Sequence, residues 1–318
     1  MTVSPDAVVL VAGSANLDFA VRAPHVPAAG ETVLGHGFAT FPGGKGANQA
    51  VACARAGGAR TRMLLALGED AFAAPVEASL REAGVTCEIV RVRDAATGTA
   101  FVCVSDDGEN AITVTPGANA RLHPAHLPAL DGVRCLLLQL ETPLPTVVAW
   151  ARAARVAGVT VILNAAPAQA LPAELLTAVD VLVVNEGELA TVAGHRGGIA
   201  ADLAAIDVAE VIVTLGARGC CARLDGGLHV QPGFRVDAVD TTAAGDTFCG
   251  TLAAAIARGL PVAEALRRAC AASALACTRH GAQASVPAAD EVDALLAGFA
   301  DPAGDAYDDL AAYCAAAR

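Results

Sequence analysis

Continuous apolar runs alternate along the chain with segments of helical periodicity. Residues 7–13 (AVVLVAG) form the first such run, and CLLLQLE, VTVILNAAP, DVLVVNEGE and EVIVTLG contain the later ones. Apolar runs without alternation predict strands that are covered on both faces, as in a parallel sheet. Segments such as LPTVVAWARAARVAG separate them and predict helices. This βαβ order predicts a doubly wound α/β fold, with a mainly parallel sheet flanked by helices.

Two segments break this rhythm and predict a small β-strand lid. Residues 17–42 and 94–117 are richer in Thr, Gly and Pro and alternate more loosely. TGTAFVCVSDDGENAITVTPG predicts a hairpin turning at Asp107-Gly108, and CCARLDGGLHV predicts a second at Asp225-Gly226-Gly227. We expect the lid to cover a site within one domain of residues 1–300. Residues 301–318 predict a short, acidic, Ala-rich helical tail.

Composition and charge limit the possible partners. The chain has 318 residues, of which 54% are hydrophobic and 17% charged, and its formal net charge is −12. This charge disfavours nonspecific binding to nucleic acid or to anionic membranes. The ten cysteines form no CxxC pair, and no apolar run has the length of a signal peptide core or a transmembrane helix. These features predict a cytoplasmic protein with reduced thiols.

Polar residues follow successive apolar runs, at the point where each predicted strand ends. In an open α/β sheet, ligands bind beyond the carboxyl ends of the strands. The polar groups found there are Asn16, Asp18, Glu141, Asn185, Glu186, Glu188 and the Thr214–Gly219 turn. We therefore predict a binding site at this edge of the sheet.

The segment VDTTAAGDTFCGTL predicts the start of a helix that can receive an anion. Backbone N–H groups at a helix start favour negative charge, and the small residues Ala243, Ala244 and Gly245 leave them accessible. From this segment alone, Asp246 has two equally good roles. It is either a catalytic carboxylate or a residue that caps the helix.

A second glycine-rich turn, FPGGKGANQA, precedes another predicted helix. Its glycines allow a ligand to approach the backbone, and Lys45 and Asn48 offer donors to hydroxyl or phosphate groups. Lys45 is followed by Gly46 rather than by Ser or Thr, so the turn is not a Walker A loop. The chain also lacks GxGxxG after a strand, which argues against a dinucleotide oxidoreductase.

In order and spacing, these motifs resemble the ribokinase group within the PfkB family of carbohydrate kinases. The blocks that carry the resemblance are GSANLD (13–18), GGKGANQAVACARAGG (43–58), NEGE (185–188), TLGARG (214–219) and VDTTAAGDTFCGTL (239–252), together with LLLQLETP and TRHGAQASVP. They extend from residue 7 to about residue 298. The resemblance implies a ribokinase-like fold and transfer of the γ-phosphoryl group of ATP to the 5-hydroxyl of D-ribose.

The resemblance also implies roles for single residues. Asp246 corresponds to the catalytic base, and the N–H groups around Ala243, Ala244 and Gly245 correspond to an anion hole for the γ-phosphate. The residues implied to bind the sugar are Asn16, Asp18, Gly44, Lys45, Gly46, Asn48, Glu141 and Asp246, with Ala100 and Ile112 covering the ring from the lid.

The cofactor positions follow from the same resemblance. The residues implied to bind ATP are Asn185, Thr214, Leu215, Gly216, Ala217, Arg218, Gly219 and Gly245. Glu188 is implied to help hold Mg²⁺ through water. The residues implied to bind a K⁺ ion, mostly through their backbone carbonyls, are Asp240, Thr242, Ala276, Arg279, Gly281 and Ser285. The chain departs from the ribokinases it resembles at Cys270, because those proteins have a polar residue near adenine at this position. Exposed lid edges predict a homodimer through the lid.

Two groups of alternatives remain. Another sugar or a nucleoside, such as deoxyribose, fructose or an adenosine-like compound, would use the same motifs. A nucleoside site calls for aromatic surface, and the chain has only eight Phe, two Tyr and one Trp. A non-catalytic sugar-binding protein of the same fold is the other alternative, and the presence of Asp246, Gly245, Lys45 and Glu188 argues against it.

Overall fold

Strands and helices alternate along most of the chain in the computed structural model, which describes residues 7–298 and 304–316. The strands are β1 (Val8–Ala12), β2 (Asn16–Ala23), β3 (Gly37–Gly43), β4 (Arg60–Gly68), β5 (Thr86–Val92), β6 (Gly98–Ser105), β7 (Asn110–Thr115), β8 (Val133–Leu138), β9 (Thr160–Asn164), β10 (Val181–Asn185), β11 (Glu210–Thr214), β12 (Gly219–Leu224) and β13 (Gly227–Pro232). The helices are α1 (Lys45–Arg55), α2 (Ala73–Glu82), α3 (Leu144–Val156), α4 (Ala173–Leu176), α5 (Glu186–Ala193), α6 (Ile199–Ala205), α7 (Ala244–Ala257), α8 (Val262–Ala276), α9 (Ala289–Gly298) and α10 (Gly304–Ala315).

The main sheet has nine strands in the order β13-β12-β11-β10-β9-β8-β1-β4-β5. The seven strands from β11 to β5 in this order pair in parallel, and β12 and β13 extend the sheet as an antiparallel hairpin. Parallel strands need helical crossovers, which cover both faces and leave the central strands buried. The predicted α/β fold with a mainly parallel sheet is confirmed.

A hydrophobic core lies on each face of this sheet because successive strand residues point to opposite faces. Val9 and Val11 of β1 belong to the core that includes α1, α2, α7 and α8. Leu10 and Ala12 belong to the other core, with α3, α5, α6 and α10. None of the described helices is both long enough and apolar enough to cross a membrane. The ten cysteines form no disulfide, and most of them are buried.

The predicted lid segments contribute a separate four-stranded sheet in the order β3-β2-β6-β7. Its central pair, β2 with β6, is parallel, and the outer pairs are antiparallel. Both predicted hairpins are present. The turn of the β12–β13 hairpin consists of Asp225 and Gly226, whose φ angles of 48° and 76° are those that a tight two-residue turn requires.

Helices α1 and α7 pack backbone against backbone at Gly250. A Cβ atom on Gly250 would lie 2.4 Å from the carbonyl oxygen of Gln49 and 2.9 Å from the amide nitrogen of Cys53. The Cys53 thiol also donates a hydrogen bond to the Gly250 carbonyl at 3.2 Å. This close approach brings the side chains of α1 to the first turn of α7, where Asp246 lies.

Because there is no room for a methyl group at this crossing, we expect Gly250→Ala to destabilise the protein by about 1–3 kcal/mol. Equilibrium urea unfolding measures this as a lower midpoint. Gly298→Ala is the matched control, because a Cβ atom at Gly298 would meet no atom within 4 Å. An unchanged midpoint for Gly250→Ala would show that the two helices separate without cost.

Candidate active site

Asp246 lies in the first turn of α7, and its buried carboxylate is held by two amides from α1. Its Oδ2 accepts a hydrogen bond from Asn48 Nδ2 at 3.0 Å, and its Oδ1 accepts one from Gln49 Nε2 at 2.9 Å. A buried carboxylate is costly unless such donors replace water. The residue at the N-cap position is Ala243, and α7 has no side-chain cap. The interpretation of Asp246 as a helix cap is therefore wrong.

Further buried amides fix these two donors in turn. Gln49 Nε2 also donates to Asn164 Oδ1 at 3.0 Å, and Gln49 Oε1 accepts from Gln139 Nε2 at 2.7 Å. On the other side, Asn48 Oδ1 accepts from Gln283 Nε2 at 3.2 Å. A side-chain amide that is bonded at both ends cannot easily rotate, so the orientation of the Asp246 carboxylate is set by residues from distant segments.

The sequence prediction missed these supporting residues, although a signal for two of them was present. Gln139 and Asn164 end the apolar runs of β8 and β9, which is the position that identified the other polar candidates. Gln49 and Gln283 gave no comparable signal, because each lies within a helical segment or a turn.

A cavity of about 170 Å³ adjoins Asp246. The predicted catalytic and binding residues that line it are Lys45, Asn185, Glu188, Thr214, Ala243, Ala244, Gly245 and Asp246. Leu215, Gly216, Ala217, Arg218 and Gly219 are not among its lining residues and form the turn that follows β11. The structure thus places the carboxyl ends of β9, β10 and β11 around the start of α7.

The start of α7 offers open backbone donors. Ala243 has a left-handed backbone with φ of 57°, which costs an alanine about 1 kcal/mol and turns the chain sharply into the helix. The Ala244 N–H donates to the Thr241 carbonyl at 3.2 Å. Helix geometry leaves the N–H groups of Gly245 and Asp246 without an intrahelical acceptor. In the predicted anion hole, the backbone N–H groups at the Gly245 end are therefore the ones that remain available to a ligand.

The lid brings Asp18 and the predicted apolar residues onto one face. Asp18 pairs with Ala100 across β2 and β6, and Ala100 pairs with Val114 of β7. Ile112 lies two residues from Val114 and hence on the same face, with 58% of its surface exposed. Asp18 Oδ1 is buried and has no hydrogen-bond partner among the described residues. A side chain at Gly43 would collide with this carboxylate.

Glu141 is anchored to the glycine-rich turn. Its Oε2 accepts hydrogen bonds from the Ser14 hydroxyl at 2.6 Å and from the Lys45 backbone N–H at 3.0 Å. Gly44 has a φ angle of 88°, and a Cβ atom there would lie 2.8 Å from the Cα atom of Ala15. The glycine therefore serves the close packing of the turn against β1 and β2 as well as any ligand. Ser14 was not predicted.

Asn16 is the remaining predicted residue of the first block. It is buried, and its Oδ1 accepts a hydrogen bond from Asn119 Nδ2 at 2.8 Å. Asn119 also bonds both backbone groups of Ala15, through its Oδ1 to the N–H and through its Nδ2 to the carbonyl. Asn119, which was not predicted, thus ties the end of the lid to the start of β2.

The charges of three carboxylates, those of Asp246, Glu141 and Glu188, act on the ammonium group of Lys45. Burial, reinforced by the charges of Glu141 and Asp246, raises the pKa of Asp18 to about 7. The charge of Asp246, against the effect of burial and with help from Glu141 and Glu188, raises the pKa of Lys45. Burial also raises the pKa of Glu188, although the Asn185 N–H and Lys45 oppose it. The site is thus rich in hydrogen-bond acceptors around one cation.

Asn185 and Glu188 form a reciprocal cap at the start of α5. Asn185 Oδ1 accepts from the Glu188 N–H, and Glu188 Oε2 accepts from the Asn185 N–H, both at 2.8 Å. This arrangement satisfies two backbone donors of the helix start. It leaves Glu188 Oε1 outside the cap, in a residue that lines the cavity.

Three of the six predicted potassium residues come together around the carboxylate of Asp240. Its Oδ1 accepts from the Thr242 N–H and hydroxyl at 2.9 and 2.6 Å, and its Oδ2 accepts from the Gly281 N–H at 2.9 Å. Burial alone would raise the pKa of Asp240, but these hydrogen bonds outweigh it and lower the pKa.

The other three predicted residues take part in local contacts. The Ala276 carbonyl accepts from the Arg279 N–H, Arg279 pairs with Glu291, and the Ser285 hydroxyl donates to Ala282. Over residues 7–298 and 304–316, no three His, Cys, Asp or Glu side chains form a metal-binding group. A cation beside Asp240 would therefore depend mainly on backbone carbonyls.

Comparison with known proteins identifies the family. Residues 6–289 match the pfkB family of carbohydrate kinases, and the chain belongs to this family. It is 38% identical to the ribokinase of Haemophilus influenzae over 298 residues, which cover 88% of this chain and 95% of that protein. The assigned class is therefore that of a sugar kinase.

Two solved structures share the fold over nearly their whole length. The ribokinase of Thermotoga maritima superposes with a TM-score of 0.84 at 36% identity, covering 92% of this chain and 100% of the other. The Arabidopsis thaliana ribokinase, solved as a complex with ribose and ATP, has a TM-score of 0.85 at 33% identity, covering 93% and 100%. The predicted ribokinase-like fold is confirmed.

The raised pKa of Asp18 gives a prediction for stability. The folded protein holds the Asp18 proton up to about pH 7, whereas an unfolded aspartate releases it near pH 4. The folded state therefore binds more protons between these values, and this group lowers stability as pH rises through that window. Asp18→Asn removes the effect, so we expect it to stabilise the unliganded protein at pH 8 by about 1–2 kcal/mol.

Urea unfolding at pH 5 and pH 8 measures this difference. The gain should be larger at pH 8 than at pH 5, where Asp18 is still mostly protonated in the folded state. Asp131→Asn, in the exposed turn before β8, is the control and should leave the pH dependence of the protein unchanged. An equal gain at both pH values would mean that Asp18 ionises normally.

Proposed function

We propose that the protein is an ATP-dependent ribokinase that phosphorylates D-ribose at the 5-hydroxyl to give D-ribose 5-phosphate. The observation that carries the proposal is the buried Asp246 carboxylate at the start of α7, held by Asn48 and Gln49 beside open backbone N–H groups. The relatives that are named ribokinases support ribose as the acceptor.

Asp246 acts as the base in this proposal. Its carboxylate accepts the proton of the 5-hydroxyl as the hydroxyl oxygen forms a bond to the γ-phosphorus of ATP. The bond from the γ-phosphorus to the bridging oxygen breaks at the same time, and ADP leaves with that electron pair. Phosphoryl transfer has a loose transition state, so orientation and charge neutralisation contribute more than base strength. The amide contacts of Asp246 supply the orientation.

The charge that develops on the phosphoryl group meets donors on two sides. The backbone N–H groups at Gly245 and Asp246, with Ala243 and Ala244 keeping side chains out of the way, stabilise the equatorial oxygens. The Lys45 ammonium group, whose pKa is raised by the charge of Asp246, adds a positive charge to the site. The backbone N–H groups are held by the start of α7 before the substrates bind, so they need little reorganisation during the reaction.

The sugar lies between the glycine-rich turn and the lid. The orphaned oxygen of Asp18 suits a sugar hydroxyl, because a buried acceptor without a donor is unfavourable and a hydroxyl supplies one. The other proposed sugar contacts are Asn16, Gly44, Lys45, Gly46, Asn48 and Glu141. Ala100 and Ile112, on the same lid face as Asp18, cover the apolar side of the ring.

ATP lies along the ends of β10 and β11 in this proposal. Asn185, Gly245 and the turn Thr214–Gly219 would contact it, and Glu188 would help to hold Mg²⁺. The fit is chemical: Glu188 lines the cavity and keeps one carboxylate oxygen outside the α5 cap, and hard cations prefer oxygen ligands. When bound, Mg²⁺ neutralises charge on the phosphate oxygens.

K⁺ is proposed to bind beside the start of α7. The Asp240 carboxylate, already tied to Thr242 and Gly281, is the anchor, and Ala276, Arg279 and Ser285 are the other proposed ligands. A cation there would stabilise the loop between Asp240 and Asp246, which carries the open N–H groups. K⁺ should therefore raise turnover more than Na⁺ at equal ionic strength, and equal rates would remove this site.

The decisive experiment measures ATP consumption across pentoses, hexoses and nucleosides, with K⁺ or Na⁺. We expect ribose to be preferred.

Asp246→Asn should lower kcat about 10²- to 10⁴-fold, the usual contribution of a general base, with little change in the Kd for ATP. Asp237→Asn, at an exposed aspartate in the segment before α7, is the matched control. Near-normal turnover by Asp246→Asn would remove Asp246 as the base.

The same panel separates the alternatives. Preference for another sugar or for a nucleoside would change the substrate but keep the enzyme class. ATP binding without consumption, whatever the acceptor, would indicate a non-catalytic sugar-binding protein.

We also propose a cytoplasmic homodimer that forms through the lids. Phe38, Phe101 and Ile112 of the lid are 70%, 54% and 58% exposed, and every residue of the edge strand β7 is exposed. Exposed apolar edge strands seek partners. Light scattering at micromolar concentration should give twice the chain mass, and a monomer would contradict the proposal. Recovery in a membrane fraction would contradict the cytoplasmic location.

A further inference from the structure

The C-terminal helix α10 is anchored beside strands that end at the proposed nucleotide site. Leu310 and Cys314 are buried in the hydrophobic core, and α10 packs against β13 and α6. The match to the family ends at residue 289, so α10 lies outside it. The helix was predicted from the sequence, but its docking was not, and the family assignment does not explain what it does.

Tyr313 of α10 contacts two segments that follow neighbouring strands. Its hydroxyl donates a hydrogen bond to Glu186 Oε1 at 2.8 Å, and Glu186 is the first residue of α5, directly after β10. The guanidinium group of Arg218 lies over the Tyr313 ring, 4.4 Å from the ring centroid. Arg218 ends the turn after β11. One side chain of the tail therefore holds both segments of the proposed ATP site.

The contact with Arg218 restricts a long and otherwise exposed side chain. An arginine in water samples many rotamers, and that freedom is lost when the guanidinium group binds an anion. Stacking on an aromatic ring removes much of the freedom beforehand and keeps the charge and its donors available. Arg218 is then prepared to meet a phosphate group before the nucleotide arrives.

The second contact of Tyr313 holds a negative charge, the carboxylate of Glu186. Glu186 is one residue from Asn185, and its carboxylate would repel a polyphosphate if it turned toward it. In the described part of the chain, Glu186 lines a second pocket between α5 and α6, with His195 and Asp202, and is not among the residues that line the cavity beside Asp246. The hydrogen bond from Tyr313 retains the carboxylate on that outer side.

We propose that Tyr313 is a positioning residue for the nucleotide, which presents Arg218 to the phosphates and keeps Glu186 away from them. The proposal rests on the proposed binding of ATP by the Thr214–Gly219 turn. An ordered guanidinium group favours phosphate oxygens as ligands. The tail therefore tightens ATP binding and leaves sugar binding unaffected.

The test compares the Kd for ATP, measured by titration calorimetry without sugar, in the full-length protein and its variants. Tyr313→Leu removes both contacts and should raise this Kd about two- to fivefold, the range of a cation–π contact at an exposed site. Tyr313→Phe keeps the ring and should raise it less. The KM for ATP should follow the Kd, while the KM for ribose stays constant. Tyr307→Leu, the same change on the same helix, is the control.

A double-mutant cycle identifies the route. Arg218→Met should weaken ATP binding by itself. Tyr313→Leu should raise the Kd for ATP less in the Arg218→Met background than in the unmodified protein, because the ring then has no guanidinium group to position. An unchanged Kd for ATP in Tyr313→Leu would overturn the inference, as would equal increases of the KM for ATP and for ribose. If Tyr313→Leu does not fold, an unchanged Kd for ATP in Arg218→Met overturns the route through the guanidinium group, and an unchanged Kd for ATP in Tyr313→Phe overturns the route through Glu186.

The outcome also separates this inference from the proposed function. Absence of ATP binding by the unmodified protein would overturn the proposed function itself. Normal ATP binding by the unmodified protein, with the same Kd in the Tyr313 variants, would overturn only the role of the tail.

Discussion

The site depends on the clasp between α1 and α7 that holds the buried carboxylate of Asp246. Asn48 and Gln49 can reach this carboxylate only because Gly250 lets the two helices touch backbone to backbone. Without those donors, the burial of a charged group at the start of α7 would be strongly unfavourable. The close packing of α1 against α7 therefore also sets the orientation of the Asp246 carboxylate.

The rest of the cavity gathers charges of both signs around this point. The charges of Glu141 and Asp246 act on Asp18, and they also raise the pKa of the Lys45 ammonium group. The balance leaves Asp18 with a raised pKa and an oxygen without a donor. Such an arrangement costs stability in the unliganded protein, which is characteristic of a site that awaits a polar ligand.

Two additions to the α/β domain complete the site from opposite sides. The lid brings Asp18 and the apolar residues Ala100 and Ile112 to the proposed sugar side, because the β2–β6 and β6–β7 pairings set them on one face. The tail helix reaches the proposed nucleotide side through the contacts of Tyr313 with Glu186 and Arg218. The lid lies within residues 6–289, which match the family, whereas the tail lies beyond them. The proposed sugar side is thus completed by an element within the family match, and the proposed nucleotide side by an element outside it.

Local pattern determined the order of strands and helices, both hairpin turns and the polar residues at the strand ends, because periodicity and turn chemistry are properties of short segments. It also placed Asp246 at a helix start. It left the role of Asp246 open, and only the resemblance to a family favoured the role of catalytic base.

The tertiary structure decided which residues lie in contact. The amides that hold Asp246 come from almost 200 residues away, at a separation of 198 for Asn48. The ionisation of Asp18 and the docking of Tyr313 likewise depend on burial and on groups from distant segments, which no short stretch of sequence contains.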